Sequence, residues 1–183
     1  MNPAPIRLPP HLPPRLEPQA ATRLTGVGNA ALLVEPLIGF IASRACPAKV
    51  LIETLDLVPQ WARAGRVILS GFHSPLEQQV LKSLLRRQGR AVKLLARGFG
   101  GKGYRPDEQE REALAANRLL VLSAFPSTIT RTTRATALER NKLVVALASE
   151  ILIPHVAPGS PLAALVQEVA WQRKNGAGSN DRN

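Results

Sequence analysis

The chain has 183 residues, of which 45% are apolar and 20% charged. That length allows one well-buried domain but is short for two. The 24 Lys and Arg residues outnumber the 13 Asp and Glu residues, which gives a formal net charge of +11. Such a charge attracts polyanions, so nucleic acid is the first partner to consider and an anionic membrane surface the second.

Several classes of protein are excluded by what the sequence lacks. No apolar stretch approaches the roughly 20 residues that span a bilayer, and the N-terminus lacks the apolar core of a signal peptide. We therefore expect a cytoplasmic protein without a membrane partner. Cys46 is the single cysteine, and the three histidines form no cluster at metal-ligand spacing. We expect no disulfide, no metal and no cofactor.

Both ends of the chain differ in composition from its middle. Residues 1–20 contain seven prolines, which remove backbone donors and predict a flexible N-terminal tail. A polyproline ligand for an aromatic groove is the alternative interpretation of this segment. Residues 176–183 are polar and are expected to be disordered. Residues 21–175 are then the folded domain.

Between these ends, apolar runs of strand length alternate with amphipathic stretches of helical length. The predicted strands are Leu37–Ser43, Arg66–Ser70, Ala91–Ala96, Leu119–Phe125 and Glu150–Val156. The predicted helices are Pro47–Ala64, Pro75–Gln88, Pro106–Asn117, Thr133–Ser149 and Pro161–Lys174. This alternation indicates an α/β fold with a doubly wound, mainly parallel sheet of about five strands flanked by helices. Pro59 lies inside the first helix and is expected to kink or split it.

Two predicted strand-to-helix junctions share one layout, in which small polar residues precede a helix that begins with Ser-Pro. One contains Ser70, Gly71 and His73, and the other contains Gly159 and Ser160. Freed backbone N–H groups at such junctions favour anions. Ser74 and Glu77 also match a capping box, so capping alone remains an alternative at the first junction. His73 has no nucleophile or acid partner in the sequence, and we assign no catalytic residue.

In a doubly wound sheet the ligand site lies beyond the carboxyl ends of the strands. The residues predicted there are polar or basic and include no carboxylate: Ser43, Arg44, Ser70, Gly71, His73, Arg97, His155, Gly159 and Ser160. The segment Gly98–Gly103 matches G-x-G-x-x-G, but it follows the third strand and lacks the acidic partner of a dinucleotide site. We interpret it as a mobile loop carrying the cation Lys102.

Basic residues are concentrated in two stretches. Eight lie between positions 82 and 105 with no acidic residue among them: Lys82, Arg86, Arg87, Arg90, Lys93, Arg97, Lys102 and Arg105. A second group contains Arg131, Arg134, Arg140 and Lys142. If both groups reach one rim, they form a groove that follows phosphates, with Phe72, Phe99, Tyr104 and Phe125 nearby to stack bases. Solvation of an outer helix face is the alternative for each single residue.

Taken in order, four of these motifs resemble the DprA/Smf family of DNA-processing proteins: Ser43-Arg44, Ser70-Gly71, Arg140-Asn141-Lys142 and Pro158-Gly159-Ser160. The resemblance covers about residues 24 to 170 and implies a Rossmann-like domain. It also implies single-stranded DNA binding in a basic pocket, dimerisation, and delivery of DNA to a RecA-type recombinase during natural transformation. By position it assigns the pocket arginine to Arg44, the Arg-Asn-Arg pair to Arg140 and Lys142, and the anion-facing turn to Gly159 and Ser160.

The sequence departs from that family at two places. Ala42 replaces the family glycine before Ser43, and Phe72-His73-Ser74-Pro75 replaces a more usual Ala-x-Gly-Ile-Asp run, as in a shorter branch. The alternative function is the binding of a small nucleotide-derived ligand in a related Rossmann-like fold. Hydrolysis of such a ligand is disfavoured, because Glu168 lies two helical turns beyond the Pro158 turn. A scaffold that only binds a protein partner is a third possibility.

Overall fold

The computed structural model describes residues 2–9, 24–101 and 103–167. The predictions for Lys102, for Glu168, for the end of the helix Pro161–Lys174 and for residues 176–183 therefore lie outside the described residues. Most of the proline-rich segment, residues 10–23, lies outside them as well.

A seven-stranded sheet forms the centre of the fold, in the order β1-β2-β6-β5-β4-β3-β7. The strands are β1 (Ala4–Pro5), β2 (Thr25–Gly28), β3 (Leu37–Phe40), β4 (Val67–Ser70), β5 (Arg90–Leu94), β6 (Leu119–Ser123) and β7 (Glu150–Leu152). The five strands from β3 to β7 are parallel to their neighbours, whereas β1 and β2 add antiparallel pairing at one edge. The strand order reverses at β3, since β4 lies on one side of it and β7 on the other.

Helices cover both faces of the sheet. The helices are α1 (Ala48–Arg63), α2 (Pro75–Arg86), α3 (Glu108–Ala115), α4 (Arg134–Leu147) and α5 (161–167), with a short 3₁₀ helix at Ala30–Val34. Residues of α1, α2 and α3 pack in one hydrophobic cluster with Phe40, Ile68 and Val121. Residues of α4 and α5 pack in a second cluster with Leu69 and Leu122. Alternate residues of each strand thus enter opposite layers, as a sheet buried on both faces requires.

The predicted doubly wound, mainly parallel sheet is confirmed, and all five predicted strands belong to it. The apolar stripes predicted on the helices are buried, with Leu76, Val80 and Leu84 on α2 and Leu162 and Leu165 on α5. The strands β1 and β2 were not predicted, so the sheet has seven strands where about five were expected. Helix α1 runs through Pro59 without a break. The proline removes one backbone hydrogen bond from the helix. The preceding residue, Val58, is fully buried against the core.

Part of the proline-rich segment is ordered against the sheet. Ala4 and Pro5 pair with Gly26 and Thr25, and the N–H of Ile6 donates to the carbonyl of Leu24 at 2.8 Å. These residues are therefore not the free tail that their prolines predict. Among the residues that the structure describes, no helix is long and apolar enough to cross a membrane, and no cluster of ligating side chains could hold a metal ion.

Candidate nucleic-acid interface

The carboxyl ends of β3 and β7 meet at the point where the strand order reverses. The hydroxyl of Ser43, three residues beyond β3, accepts a hydrogen bond from the backbone N–H of Ala157 at 3.0 Å. Ser43 is only 6% exposed. This contact joins the loop after β3 to the loop after β7, residues 153–160. Such a switch point is the usual ligand crevice of an open α/β sheet.

The neighbouring strand β4 ends in a tight turn. The hydroxyl of Ser70 is fully buried and accepts from the N–H of Phe72 at 3.1 Å. Phe72 has a φ of 48°, which lies in the left-handed region. Its ring is buried among the residues under α2, so it is not available to stack a base. The Ser70–Phe72 turn instead exposes the side chain of His73 at the surface.

Arg140 of α4 fills the space above Gly71. A Cβ atom at position 71 would lie 1.2 Å from Nη1 of Arg140, so glycine is required for this approach. Arg140 is 5% exposed, and its Nε donates to Oδ1 of Asn141 at 2.8 Å. Burial lowers the pKa of the Arg140 guanidinium, and the negative charge of Glu77 opposes that shift. Arg140 thus lies beneath the surface of the site.

Glu77 is a buried carboxylate behind these strand ends. Its Oε1 accepts from the N–H of Ala42 at 2.9 Å, and its Oε2 accepts from the N–H groups of His73 at 2.7 Å and Ser74 at 3.2 Å. Ser74 caps α2 in return, so the predicted capping box is confirmed. Glu77 also ties the end of β3 to the turn after β4. Glu77 is only 3% exposed, so this carboxylate lies behind the predicted rim and not on it.

The second Ser-Pro junction forms the opposite side of the crevice. Gly159 has a φ of 67° and open space where a Cβ would lie. Ser160 accepts from the N–H of Ala163 at 3.2 Å and so caps α5. The N–H of Ser160 donates to the carbonyl of Ala157 at 3.2 Å, which closes the turn. Ser43 and this turn are thus brought together, as the sequence predicts.

The glycine-rich loop after β5 is packed, not free. Cβ atoms at Gly98 and Gly100 would lie 2.2 Å from the carbonyl oxygen of Pro126 and 1.9 Å from that of Ser127. The N–H of Gly98 also donates to the carbonyl of Ile129 at 2.8 Å. The glycines therefore allow two backbones to touch, which differs from the mobile loop that we expected. No dinucleotide site needs to be invoked for the motif.

Arg97 belongs to the same packed loop. Its Nη2 donates to the carbonyl of Gly103 at 3.1 Å, and its Nη1 to that of Gly98 at 3.4 Å. Its own carbonyl accepts from the hydroxyl of Ser123 at 2.8 Å. The guanidinium is half-buried and braces the loop across its width.

The basic stretch from position 82 to 105 does not form one surface. Arg90 binds Glu35 and the carbonyl of Gly65 at the amino end of β5, away from the crevice. Lys93 pairs with Glu110 on the α3 side of the sheet. In the second group, Lys142 pairs with Glu139 at 3.4 Å, whereas Arg131 and Arg134 are exposed. Sequence spacing could not reveal which strand end each cation would reach.

Arg44 is the exposed cation next to the crevice. It follows Ser43 directly, and no hydrogen bond or ion pair joins it to another of the described residues. An exposed guanidinium beside a buried hydroxyl and a glycine turn can bind a phosphate in bidentate fashion. We name the crevice formed by Ser43, Arg44, Gly71, His73 and residues 157–160 the switch crevice.

A family model described as DNA recombination-mediator protein A matches residues 8–161. The chain belongs to the DprA family of DNA-processing proteins. A search of curated proteins finds no match. Among solved structures, the chain is similar to DprA from Helicobacter pylori, with 22% identity, a TM-score of 0.71, and coverage of 92% of this chain and 78% of that one. That structure is described as showing a unique single-stranded DNA binding mode.

The chain is also similar to DprA from Streptococcus pneumoniae, with 18% identity and a TM-score of 0.66. The match covers 88% of this chain but only 58% of the pneumococcal protein. At these identities the likeness establishes the fold, and the Rossmann-like architecture of the DprA domain is thereby confirmed. The resemblance carried by the four short motifs is confirmed by the family match.

Proposed function

We propose that this DprA-family chain binds single-stranded DNA in the switch crevice. The observation that carries the proposal is the junction of Ser43 with Ala157, beside the exposed Arg44 and at the point where strand order reverses. Family membership supports a DNA ligand, and the net charge of +11 supports a polyanion.

Within this proposal the predicted site residues take different parts. Arg44 and His73 are exposed and contact phosphates, while Ser43, Gly159 and Ser160 shape the crevice wall. Three residues position that wall without touching DNA: the buried Ser70 and Arg140, and the half-buried Gly71. Arg97 braces the glycine loop, and Lys142 adds a partly neutralised charge near α4. The contribution of Lys102 is proposed from the sequence alone.

Binding should depend on phosphates more than on bases. Phe72 is buried and Phe99 packs edge-on against Tyr104, with ring centroids 6.5 Å apart. These rings are engaged in the core or with each other, so of the four predicted rings the half-buried Phe125 is the one left to stack a base. Contacts made by Arg and Lys to phosphates are insensitive to sequence and strongly sensitive to salt.

The wider role follows from the family as a further part of the proposal. We infer that the chain supports DNA recombination, including natural transformation, in the cytoplasm. A RecA-type recombinase and a second copy of the chain are its proposed protein partners. The chain spans 58% of the pneumococcal relative, so these partners are proposed for the family domain that is present here.

Fluorescence anisotropy with labelled oligothymidylates of increasing length, at about 50 and 200 mM salt, tests the DNA proposal. We expect affinity to rise with length until the crevice is covered, and to fall at least tenfold at the higher salt. The proposal fails if affinity is independent of length and dTMP competes for the crevice as well as an oligonucleotide does.

That contrary result would favour the second candidate, binding of a small nucleotide-derived ligand in the same crevice. The observation that supports it is the closure of the crevice by the Ser43–Ala157 bond, which suits a compact ligand. Either ligand requires Arg44, so the length series separates the two.

A further inference from the structure

A groove outside the switch crevice lies between α2, α3 and β5. Its volume is about 340 Å³, which is at the lower end of ligand pockets and is suited to one nucleotide. It is lined by Phe72, Gln78, Leu81, Lys82, Leu85, Lys93, Arg105, Asp107, Gln109 and Glu110. None of the residues that define the switch crevice contributes to it.

The floor of the groove is a buried ion pair. Lys93 of β5 contacts Glu110 of α3, and their side chains are only 19% and 6% exposed. The ammonium of Lys93 also lies 5.5 Å from the centroid of the Tyr104 ring. Glu110 is fixed further by accepting from the N–H of Asp107 at 3.2 Å, as part of the capping box of α3. The floor is therefore polar and held in place before any ligand binds.

The mouth of the groove carries two exposed cations. Lys82 of α2 and Arg105, just before α3, form no ion pair with the described residues. Asp107, beside them, is the N-cap of α3 and accepts from the N–H of Glu110 at 2.9 Å. Its carboxylate keeps its negative charge and offsets one of the two cations. The lining thus contains three cations (Lys82, Lys93 and Arg105) and two carboxylates (Asp107 and Glu110), and the net charge of +1 favours an anionic group such as a phosphate.

The walls supply what the rest of a nucleotide requires. Leu81 and Leu85, which are 6% and 4% exposed, present only a narrow apolar edge to a base, and Gln78 and Gln109 offer amide groups to it. Nε2 of Gln78 is oriented by a 2.9 Å bond to the carbonyl of His73, which leaves its Oε1 as an acceptor. The groove thus combines a small apolar surface with several oriented polar groups.

We propose that the groove between α2 and α3 binds one nucleotide, with its phosphate at Lys82 and Arg105 and its base along Leu81 and Leu85. The site is separate from the switch crevice and its occupation does not require DNA binding there. The same chemistry is present in a free nucleoside monophosphate and in one nucleotide of a longer strand.

The test measures the binding of dTMP, inorganic phosphate and an oligothymidylate. Calorimetry gives the affinities, and changes in NMR chemical shift show whether the residues that line the groove are involved. The double variant Lys82→Ala, Arg105→Ala should weaken dTMP binding at least about tenfold. The control Arg7→Ala, Arg63→Ala removes the same charge from exposed sites elsewhere and should leave binding unchanged.

Free dTMP that shifts the groove residues identifies a mononucleotide as the ligand. Shifts that appear only with the oligonucleotide, and that are lost in the double variant, identify a nucleotide of a strand. The proposal is overturned if neither probe shifts these residues, if phosphate binds as tightly as dTMP, or if dTMP binding is lost in Arg44→Ala and kept in the double variant. Loss of oligonucleotide binding in Arg44→Ala alone concerns the switch crevice and not this groove.

Discussion

Gly71 and Arg140 share a volume that leaves no room for a side chain at position 71. The absence of a Cβ allows the guanidinium to lie against the turn after β4. Arg140 in turn is kept within reach of the Glu77 charge in a buried setting. The arginine that the family resemblance assigns to ligand contact is therefore buried beside the turn after β4, which supports the proposal that it positions the crevice.

Gly71→Ala should destabilise the protein by about 2–3 kcal/mol, because the new methyl group displaces a packed guanidinium. Chemical denaturation measures the change in the free energy of unfolding. Gly159→Ala is the matched control, since a Cβ there meets open space and costs only about 1 kcal/mol of left-handed backbone strain. Equal losses in the two variants would contradict the proposed packing role.

Glu77→Gln should cost about 1–3 kcal/mol, because one buried carboxylate accepts from three backbone N–H groups and an amide cannot satisfy them all. Glu53→Gln on α1 removes an exposed carboxylate whose 3.8 Å contact with Lys49 is worth little. Its free energy of unfolding should change by less than about 0.5 kcal/mol. A similarly small change in Glu77→Gln would show that Glu77 is only a helix cap.

Sequence reasoning found the cap at Ser74 and Glu77 because capping is local. It missed the bond from Glu77 to Ala42, because that partner lies 35 positions away and is set by the pairing of β3 with β4. It also assigned Arg140 to the site, but it could not show that the missing Cβ of Gly71 allows the guanidinium to be buried there. Long-range contacts of this kind depend on the assembled sheet.

Among the elements, the glycine-rich loop after β5 shows most clearly how a motif can mislead. Its spacing fits a phosphate loop, yet Gly98 and Gly100 permit contact with the backbone at Pro126 and Ser127. The loop after β5 and the loop after β6 thus form one interlocked unit at the carboxyl edge of the sheet.

Gly100→Ala should destabilise the protein by about 3 kcal/mol, because its methyl group would meet a backbone carbonyl that cannot rotate away. Gly103→Ala is the control in the same loop: the nearest atom to its Cβ is 3.7 Å away, and only its φ of 67° opposes the change. We expect about 1 kcal/mol there. Thermal and denaturant unfolding measure the stability of both variants. A smaller loss of stability in Gly100→Ala than in Gly103→Ala would contradict the proposed contact between the two loops.

Tyr104 lies next to Lys93 at the floor of the α2–α3 groove, and its ionisation makes the stability of the protein depend on pH. Burial, followed by the negative charge of Glu110, raises the pKa of its hydroxyl above the ordinary value. The folded protein therefore holds this proton where the unfolded chain releases it, so stability should fall as the pH rises above about 10. Tyr104 is the only tyrosine, so phenolate absorbance reports it alone.

We expect phenolate absorbance to appear only together with unfolding, which circular dichroism would follow in parallel. Tyr104→Phe should flatten the alkaline decline in stability. Ionisation of Tyr104 near pH 10 in a protein that remains folded would contradict its burial.

The order of elements could be predicted from the sequence better than their ends. Apolar residues continue past the last ladder bond, so β3 was predicted to reach Ser43 but ends at Phe40. The strand β2 was missed because Thr25-Gly26-Val27-Gly28 has weak strand propensity and is stabilised by pairing with β6. Backbone pairing between strands therefore determines both where β3 ends and that β2 forms.

At the scale of the whole molecule, the basic residues behind the charge of +11 lie on different surfaces. Arg90 and Arg66 form ion pairs at the amino edge of the sheet, while Arg44 remains free at the carboxyl edge. Lys82 and Arg105 face a separate groove. The net charge predicted a polyanionic partner, but only the fold shows which cations can meet one.

The most direct test of DNA binding in the switch crevice is the salt dependence of single-stranded oligonucleotide affinity in the native chain, Arg44→Ala and Arg63→Ala. Arg63 is exposed at the end of α1 and carries the same charge. We predict that Arg44→Ala weakens binding about tenfold and lowers the slope of log affinity against log salt by about 0.7, as expected for one lost phosphate contact. Arg63→Ala should match the native chain. Equal behaviour of the two variants would contradict the account.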